Sequence, residues 1–103
     1  MMPSRKNERR DNRTIVQLKI LRNYECQICH QFILKKDGKR YIEAAHIIPK
    51  RHQGPELPNN LLILCPNHHK EFDLGDIKIS LHDTEKIIFE LNGITRTVNL
   101  SLQ

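Results

Sequence analysis

Two pairs of metal-ligand residues, far apart along the chain, constrain its fold more than any other feature. Cys26 and Cys29 form a C-x-x-C step, and Cys65 and His68 form a C-x-x-H step that begins 36 positions after Cys29. Zinc takes four such ligands in a tetrahedron, and a short loop presents two of them at a time. The spacing predicts a structural zinc ion that joins two distant segments. Buried cysteines acting as small apolar side chains are the simpler alternative, but they do not explain the matching spacing.

The composition is that of one small globular domain with few large apolar side chains. The chain has 103 residues, with three Phe, two Tyr and no Trp, and single domains usually have ~50–200 residues. A core this thin commonly relies on a metal or a disulfide. Three cysteines cannot all pair, and no apolar signal segment begins the sequence, so zinc in a reducing compartment is favoured. No apolar run approaches the ~18 residues of a membrane span.

A second interpretation of the first pair is covalent haem. The string Cys26-Gln27-Ile28-Cys29-His30 also matches the attachment motif of c-type haem. Haem attachment requires export, for which the sequence has no signal, and it would leave Cys65 without a role. Zinc is therefore favoured over haem.

The net charge of +5 is concentrated near the start of the chain. The basic residues there are Arg5, Lys6, Arg9, Arg10, Arg13, Lys19 and Arg22. Such a cluster attracts phosphate through counterion release. A solvated helix face accounts for the cluster equally well, so charge alone does not indicate nucleic acid.

The first half of the chain has one helical pattern and one hairpin signal. Residues 1–8 are expected to be disordered, and apolar residues at near-helical spacing predict an amphipathic basic helix over 9–23. Asp37-Gly38 is a strong hairpin turn signal. We expect the second strand of this hairpin to continue through His46 to Ile48, where Pro49 ends it.

The second half predicts a loop, a strand, a helix and a β-hairpin or meander. Prolines and a glycine within 49–59 indicate a loop, and 60–65 is an apolar run short enough for a buried strand. Pro66 suits the first turn of a helix that ends at Gly75. Residues 75–103 alternate with period two between turn signals. We expect all these elements to form one domain, with residues 24–74 as its zinc-stapled core.

A second group of polar residues lies close to the zinc ligands. Neighbours in a helix point ~100° apart, so His69 faces away from the zinc, while Asp73, four residues later, shares its face. This pair could hold a divalent ion, or it could be an ordinary surface pair. A neutral imidazole at His46 could take a proton from water at physiological pH. A buried structural histidine is the alternative.

Taken together, residues 26–73 resemble an HNH endonuclease. The matching strings are Tyr41–Pro49, His52–Pro55, Asn60–His69 and Phe72-Asp73, and they are similar to a branch associated with restriction systems and prophages. The resemblance implies an α+β fold, namely a small ββα-metal (HNH) domain with a structural zinc, an N-terminal basic helix and a C-terminal β-hairpin or meander. It also implies a cytoplasmic protein of bacterial or phage origin.

The resemblance assigns a role to each residue that matches the motif. His46 would be the general base, Asn60 would brace the loop that orients it, and His69 would bind the catalytic ion together with Asp73. That ion would be Mg²⁺, Mn²⁺, Ni²⁺ or Zn²⁺, which polarises the scissile phosphate and stabilises the leaving oxygen. The implied reaction is the hydrolysis of DNA phosphodiester bonds, by nicking or by double-strand cleavage.

The chain departs from the family pattern at Ala45, where relatives usually have Asp or His as a metal ligand. Glu43 lies on the same face of the predicted strand, ~6.6 Å away along it, and is the candidate replacement. Alternatively, the ion is held weakly, or Ala45 is an introduced inactivating change. The alternative function is therefore a zinc-stapled nucleic-acid-binding module with an inactive site, and a protein-interaction zinc module comes third.

The expected partner is DNA, and no association with a membrane is expected. The predicted DNA contacts are Arg9, Arg10, Arg13, Lys50 and Arg51. Phosphate contacts of this kind position a protein without carrying sequence information. Because so short a chain has little surface for recognising a long site, a homodimer or a larger targeting partner is expected.

Overall fold

The structure is a computed structural model that describes residues 13–102. Residues 13–21 form helix α1, which is followed by a turn over 22–24. Leu18 is buried against the core, and positive φ angles at Asn23 and Tyr24 end the helix. Arg9, Arg10 and the predicted disordered start lie outside the described residues. No helix within 13–102 combines the length and hydrophobicity that a membrane crossing requires.

The predicted hairpin is present, but its second strand is divided between two sheets. Strand β1 (Ile33–Leu34) pairs antiparallel with β2 (Arg40–Tyr41), whereas β3 (Glu43–His46) pairs antiparallel with β4 (Leu61–Leu64). The strand also ends at His46 rather than at the predicted Ile48. The reason is that the backbone N–H and C=O of Ile48 form hydrogen bonds with the side chain of Asn60 and not with a neighbouring strand.

Helix α2 (Pro66–Leu74) packs on the β3–β4 pair and completes a ββα unit. Its bounds agree with the prediction, and Gly75 follows it directly. Gly75 does not adopt the left-handed backbone conformation. A Cβ at this position would lie 2.6 Å from the carbonyl oxygen of Glu71, so this close approach excludes residues larger than glycine. All four residues of β4 are buried, which explains why this apolar run has no polar alternation.

The C-terminal part is a three-stranded antiparallel meander. Its strands are β5 (Ile77–His82), β6 (Lys86–Leu91) and β7 (Ile94–Asn99), in the order β5-β6-β7. Asn92 and Gly93 have φ angles of 51° and 86°, and two successive positive φ angles suit a two-residue hairpin turn. Phe89 of β6 meets Phe72 of α2 edge-to-face at 5.6 Å, so the meander packs on the ββα unit. The predicted fold class, α+β with a C-terminal meander, is confirmed.

We expect Asp83→Asn to make stability less dependent on pH in the acid range. The Asp83 carboxylate accepts hydrogen bonds from the backbone N–H groups of Lys86 and Glu85, and these bonds lower the pKa of Asp83. A carboxyl group with a lowered folded-state pKa stabilises the fold above its ordinary pKa, and this stabilisation is lost as pH falls. Thermal melts between about pH 7 and about pH 3 should show the variant and wild type converging at low pH. Glu85→Gln is the control variant. A difference in melting temperature between Asp83→Asn and wild type that stays the same at every pH would contradict this prediction.

Candidate active site and metal centre

The two ligand pairs meet in one centre, with ligand atoms all within 4.8 Å of one another. The Sγ atoms of Cys29 and Cys65 are 3.8 Å apart, and Nδ1 of His68 lies 3.4 Å from Cys65 Sγ and 3.6 Å from Cys26 Sγ. Ligand bonds of ~2.3 Å to sulfur and ~2.0–2.1 Å to nitrogen would place the ligand atoms of a tetrahedral zinc ~3.5–3.8 Å apart. The four side chains are therefore spaced to share one metal ion.

Two of the thiols at this centre have opposite acid–base behaviour. Burial opposes ionisation of Cys26, but hydrogen bonds from the backbone N–H groups of Cys65, Cys29 and Ile28 outweigh it and lower the pKa of Cys26. Burial raises the pKa of Cys29 to about 11, and the neighbouring Cys26 adds to this rise. A metal ion binds thiolates, so its uptake by this centre would release protons.

One member of the metal centre also caps the start of helix α2. Cys65 precedes the helix, and its Sγ accepts a hydrogen bond from the backbone N–H of His68. Gln27, between the first two ligands, pairs with the backbone of Ile63: Gln27 N–H donates to the Ile63 carbonyl, and Ile63 N–H donates to Gln27 Oε1, both at 2.8 Å. The knuckle around Cys26 is therefore attached to β4. Sequence reasoning missed Gln27, since no motif distinguishes it.

His46 and His69 line the same open groove, and the roles predicted for them, general base and metal ligand, stay predictions. The groove has a volume of about 630 Å³, and Lys50, Arg51 and Asp73 also line it. Strand β3 supplies His46 at its last residue, and helix α2 supplies His69 and Asp73 from one face. The groove thus combines two imidazoles, a carboxylate and two cationic side chains.

Each ring nitrogen of His69 has a carboxylate neighbour. Nδ1 is 2.7 Å from Glu43 Oε1, and Nε2 is 3.3 Å from Asp73 Oδ2. If Nδ1–H donates to Glu43, the Nε2 lone pair is available beside Asp73. Two ligand atoms at ~2.0–2.2 Å from one ion are ~2.8–3.1 Å apart at right angles and ~3.3–3.6 Å apart at a tetrahedral angle, a span that includes this separation. His69 and Asp73 therefore fit a shared divalent cation.

Glu43 lies behind His69 rather than on the groove. A hydrogen bond from the Tyr41 hydroxyl, at 2.7 Å, lowers the pKa of Glu43; burial opposes this, and His69 adds to the lowering. The same hydrogen bond raises the pKa of Tyr41. Metal-binding histidines commonly donate their second N–H to a carboxylate in this way. The contact favours an orienting role for Glu43, and its predicted membership of the ion's ligand shell stays a prediction.

Ala45 is fully buried in the core, opposite Leu62 of β4. It supplies no ligand atom. Within residues 13–102, the group formed by Cys26, Cys29, Cys65 and His68 is the one place where three or more His, Cys, Asp or Glu ligand atoms converge. The groove therefore offers His69 and Asp73 as a two-residue site whose other ligands would be water or phosphate oxygens.

Asn60 holds together the loop that follows His46. The side chain is 2% exposed; its Oδ1 accepts from Ile48 N–H at 2.8 Å, and its Nδ2 donates to the carbonyls of Ile48 at 3.1 Å and Pro55 at 2.9 Å. These bonds close the segment between β3 and β4 immediately after the imidazole. The bracing that the resemblance implied for Asn60 has this geometric basis.

We expect Asn60→Ala to destabilise the fold by ~2–4 kcal/mol, since three backbone groups of the loop would lose their hydrogen bonds to the buried Asn60 amide. Urea denaturation of the metal-loaded protein measures this. The neighbouring Asn59→Ala is the matched control and should change stability by less than ~1 kcal/mol. Equal effects of the two substitutions would show that the Asn60 amide does not brace the loop.

Sequence reasoning also missed Glu56, which forms an ion pair and hydrogen bond with His46 through Oε1 and Nε2. An acidic residue in the loop between His46 and Asn60 was the available signal. Of the predicted DNA contacts, Lys50 and Arg51 line the groove, whereas Arg13 is exposed on α1 and does not. Arg9 and Arg10 lie outside the described residues.

Comparison with known proteins gives three matches. The family described as HNH endonuclease matches residues 26–80. A protein named Anaredoxin, from Nostoc sp. (strain PCC 7120 / SAG 25.82 / UTEX 2576), is 32% identical over 66 residues, covering 64% of this chain and 79% of that protein. A solved structure, the modification dependent TagI restriction endonuclease, superposes with a TM-score of 0.61 at 35% identity over 81% of this chain. This chain spans only 29% of the TagI chain.

Proposed function

Since this chain belongs to the HNH endonuclease family, we propose that it hydrolyses phosphodiester bonds of DNA with the help of a divalent metal ion. The observation that carries the proposal is the shared groove, where His46 from β3 and His69 from α2 meet beside Lys50 and Arg51. A proton acceptor, a metal ligand and phosphate-binding cations are the groups that this hydrolysis requires.

His46 acts as the general base. Its imidazole takes a proton from the water that attacks the scissile phosphorus, which raises the nucleophilicity of that water. Asn60 contributes indirectly, because its loop bonds hold the backbone of Ile48, two residues beyond the base. An imidazole held in this way does not need to be ordered when substrate binds.

His69 and Asp73 hold the catalytic ion, which is Mg²⁺, Mn²⁺, Ni²⁺ or Zn²⁺. When bound, a divalent ion polarises the phosphate and stabilises the leaving 3′ oxygen. The 3.3 Å separation between His69 Nε2 and Asp73 Oδ2 supports this assignment. Glu43 orients the His69 ring from behind through its 2.7 Å contact to Nδ1.

The centre formed by Cys26, Cys29, Cys65 and His68 holds a structural zinc. Three sulfur ligands and one imidazole are a set that zinc prefers, and the four protein ligands leave no open position for substrate. The ion joins the knuckle to the start of α2, and through α2 it fixes the position of His69. Its role in catalysis is thus indirect.

Lys50 and Arg51 bind backbone phosphates at the groove, and Arg13 is proposed to extend this contact from α1. We propose that selection of a target depends on a homodimer or on a larger partner. Light scattering of the purified protein, with and without DNA, tests for the dimer. The cytoplasmic location implied by the resemblance stays a prediction.

Incubation with supercoiled plasmid tests the proposed function. Nicked or linear product should form with Mg²⁺, Mn²⁺ or Ni²⁺ and should not form with EDTA. A second candidate, a zinc-stapled DNA-binding module with an inactive site, is favoured by one observation: the buried Ala45 leaves the ion with two protein ligands. A gel shift without cleavage in any metal would establish this alternative, and the absence of both would contradict both candidates.

A further inference from the structure

The loop between β3 and β4 returns Glu56 to the imidazole of His46. Oε1 of Glu56 contacts Nε2 of His46, and both side chains are mostly buried, with exposures of 15% and 20%. Glu56 lies ten positions after His46 in the sequence. The contact therefore depends on the path of the loop, which the structure shows to be tightly specified.

Two features bring the loop back. A Cβ on Gly54 would lie 1.7 Å from the carbonyl oxygen of Ile48, so only glycine permits the backbone to pass this close. Directly after it, the carbonyl of Pro55 accepts a hydrogen bond from Asn60 Nδ2. Glu56 follows these two residues, so its backbone is anchored on the side of the loop that faces His46.

The chemistry of this contact determines which nitrogen of His46 can act as a base. A carboxylate has only acceptors, so the shared hydrogen belongs to Nε2. A neutral imidazole has one N–H, which leaves the lone pair on Nδ1. When Nδ1 takes a proton, the imidazolium that forms is stabilised by the adjacent carboxylate, as in other carboxylate–histidine pairs.

Within residues 13–102, the Glu56 carboxylate has few hydrogen-bond donors besides His46. Its second oxygen, Oε2, is buried and accepts no hydrogen bond within the described part of the chain. Lys50 Nζ lies 3.5 Å from Oε1 and is a second charged group that contacts this carboxylate. A buried carboxylate with so few donors interacts more strongly with a positive charge on His46 than a hydrated one would.

We propose that Glu56 is a positioning residue that holds His46 in the Nε2–H tautomer and stabilises its protonated form during DNA cleavage. This inference rests on the proposed role of His46 as the base. It adds to that role the identity of the reactive atom, Nδ1, and a function for an acidic residue of the loop.

Two variants test this assignment. Glu56→Gln keeps the shape of the side chain and should lower the cleavage rate at saturating DNA by roughly 10²-fold, with DNA affinity within ~2-fold of wild type. Glu56→Ala removes the acceptor, so the imidazole ¹⁵N shifts of His46, measured by NMR on folded zinc-loaded protein, should change from a single Nε2–H tautomer to a mixture. Glu85→Gln, on an exposed turn, is the matched control and should resemble wild type in both measurements.

The two measurements separate this inference from the proposed function. Cleavage by Glu56→Gln at the wild-type rate, or an Nε2–H tautomer that persists in Glu56→Ala, would overturn the role of Glu56. If wild type cuts no plasmid with any metal, the nuclease proposal fails. In that case the NMR comparison still shows whether Glu56 sets the tautomer of His46.

Discussion

His46→Ala should lower the rate of plasmid cleavage by roughly 10²–10⁴-fold, the usual contribution of a general base. The imidazole lines the groove and contacts Glu56, whereas the backbone of residue 46 pairs with Leu61 in the β3–β4 ladder. Alanine removes the proton acceptor and leaves this pairing in place. Single-turnover cleavage at saturating DNA measures the effect, and DNA affinity should change by less than ~3-fold because phosphate contacts come from other residues.

His30→Ala provides the matched control for this substitution. The His30 side chain is 75% exposed, and its contact with a Glu25 carboxylate oxygen is long, at 3.7 Å. We expect this variant to cleave like wild type. Cleavage by His46→Ala at the wild-type rate would remove His46 from the mechanism. A similar loss in both variants would indicate a general effect of removing a histidine.

Cys26→Ser should abolish tight zinc binding and should lower the free energy of unfolding more than any other single substitution. Cys26 has no exposed surface and is both a ligand of the metal centre and a member of the core. Zinc contributes ~10–16 kcal/mol of apparent binding free energy to small zinc-dependent domains. Even a loss of ~3 kcal/mol would lower the melting temperature of a domain of this size by roughly 12–24 °C.

Metal content and thermal melting should change together in this variant. Wild type is expected to hold one zinc per chain at this centre, and prolonged treatment with a strong chelator should reproduce the melting temperature of Cys26→Ser. His30→Ala again serves as the control, because it follows the second ligand directly without belonging to the centre. A Cys26→Ser protein that melts like wild type would exclude a structural metal.

The sequence predicted the parts of the site whose geometry is local. Three of these parts depend only on spacing along one turn or helix: the C-x-x-C step, the C-x-x-H step, and the i, i+4 pair of His69 and Asp73. The sequence spacing therefore predicts which side chains of each part point in the same direction. The bounds of α2 were predictable for the same reason, since Pro66 and Gly75 mark its ends. The period-two pattern after Gly75 similarly indicated the meander.

The contacts that sequence reasoning missed depend on the tertiary path of the chain. Glu56 reaches His46 only because Gly54 and Asn60 close the loop, and no local rule predicts that closure. Gln27 joins the knuckle to β4 across 36 positions. The sequence also did not predict that the strand divides at Ile42 into β2 and β3. Alternation of apolar and polar residues indicates a strand but does not indicate which strand each half pairs with.

A crystal of the zinc-loaded protein soaked in Mn²⁺ tests the central claim, that His46 and His69 act on one bound ion and phosphate. Anomalous data at the manganese edge should show a peak in the groove, within ligand distance of His69 Nε2 and Asp73, with His46 facing it. Both imidazoles line this groove. A saturating soak that leaves the groove without manganese, or that places the ion away from His69, would contradict the account.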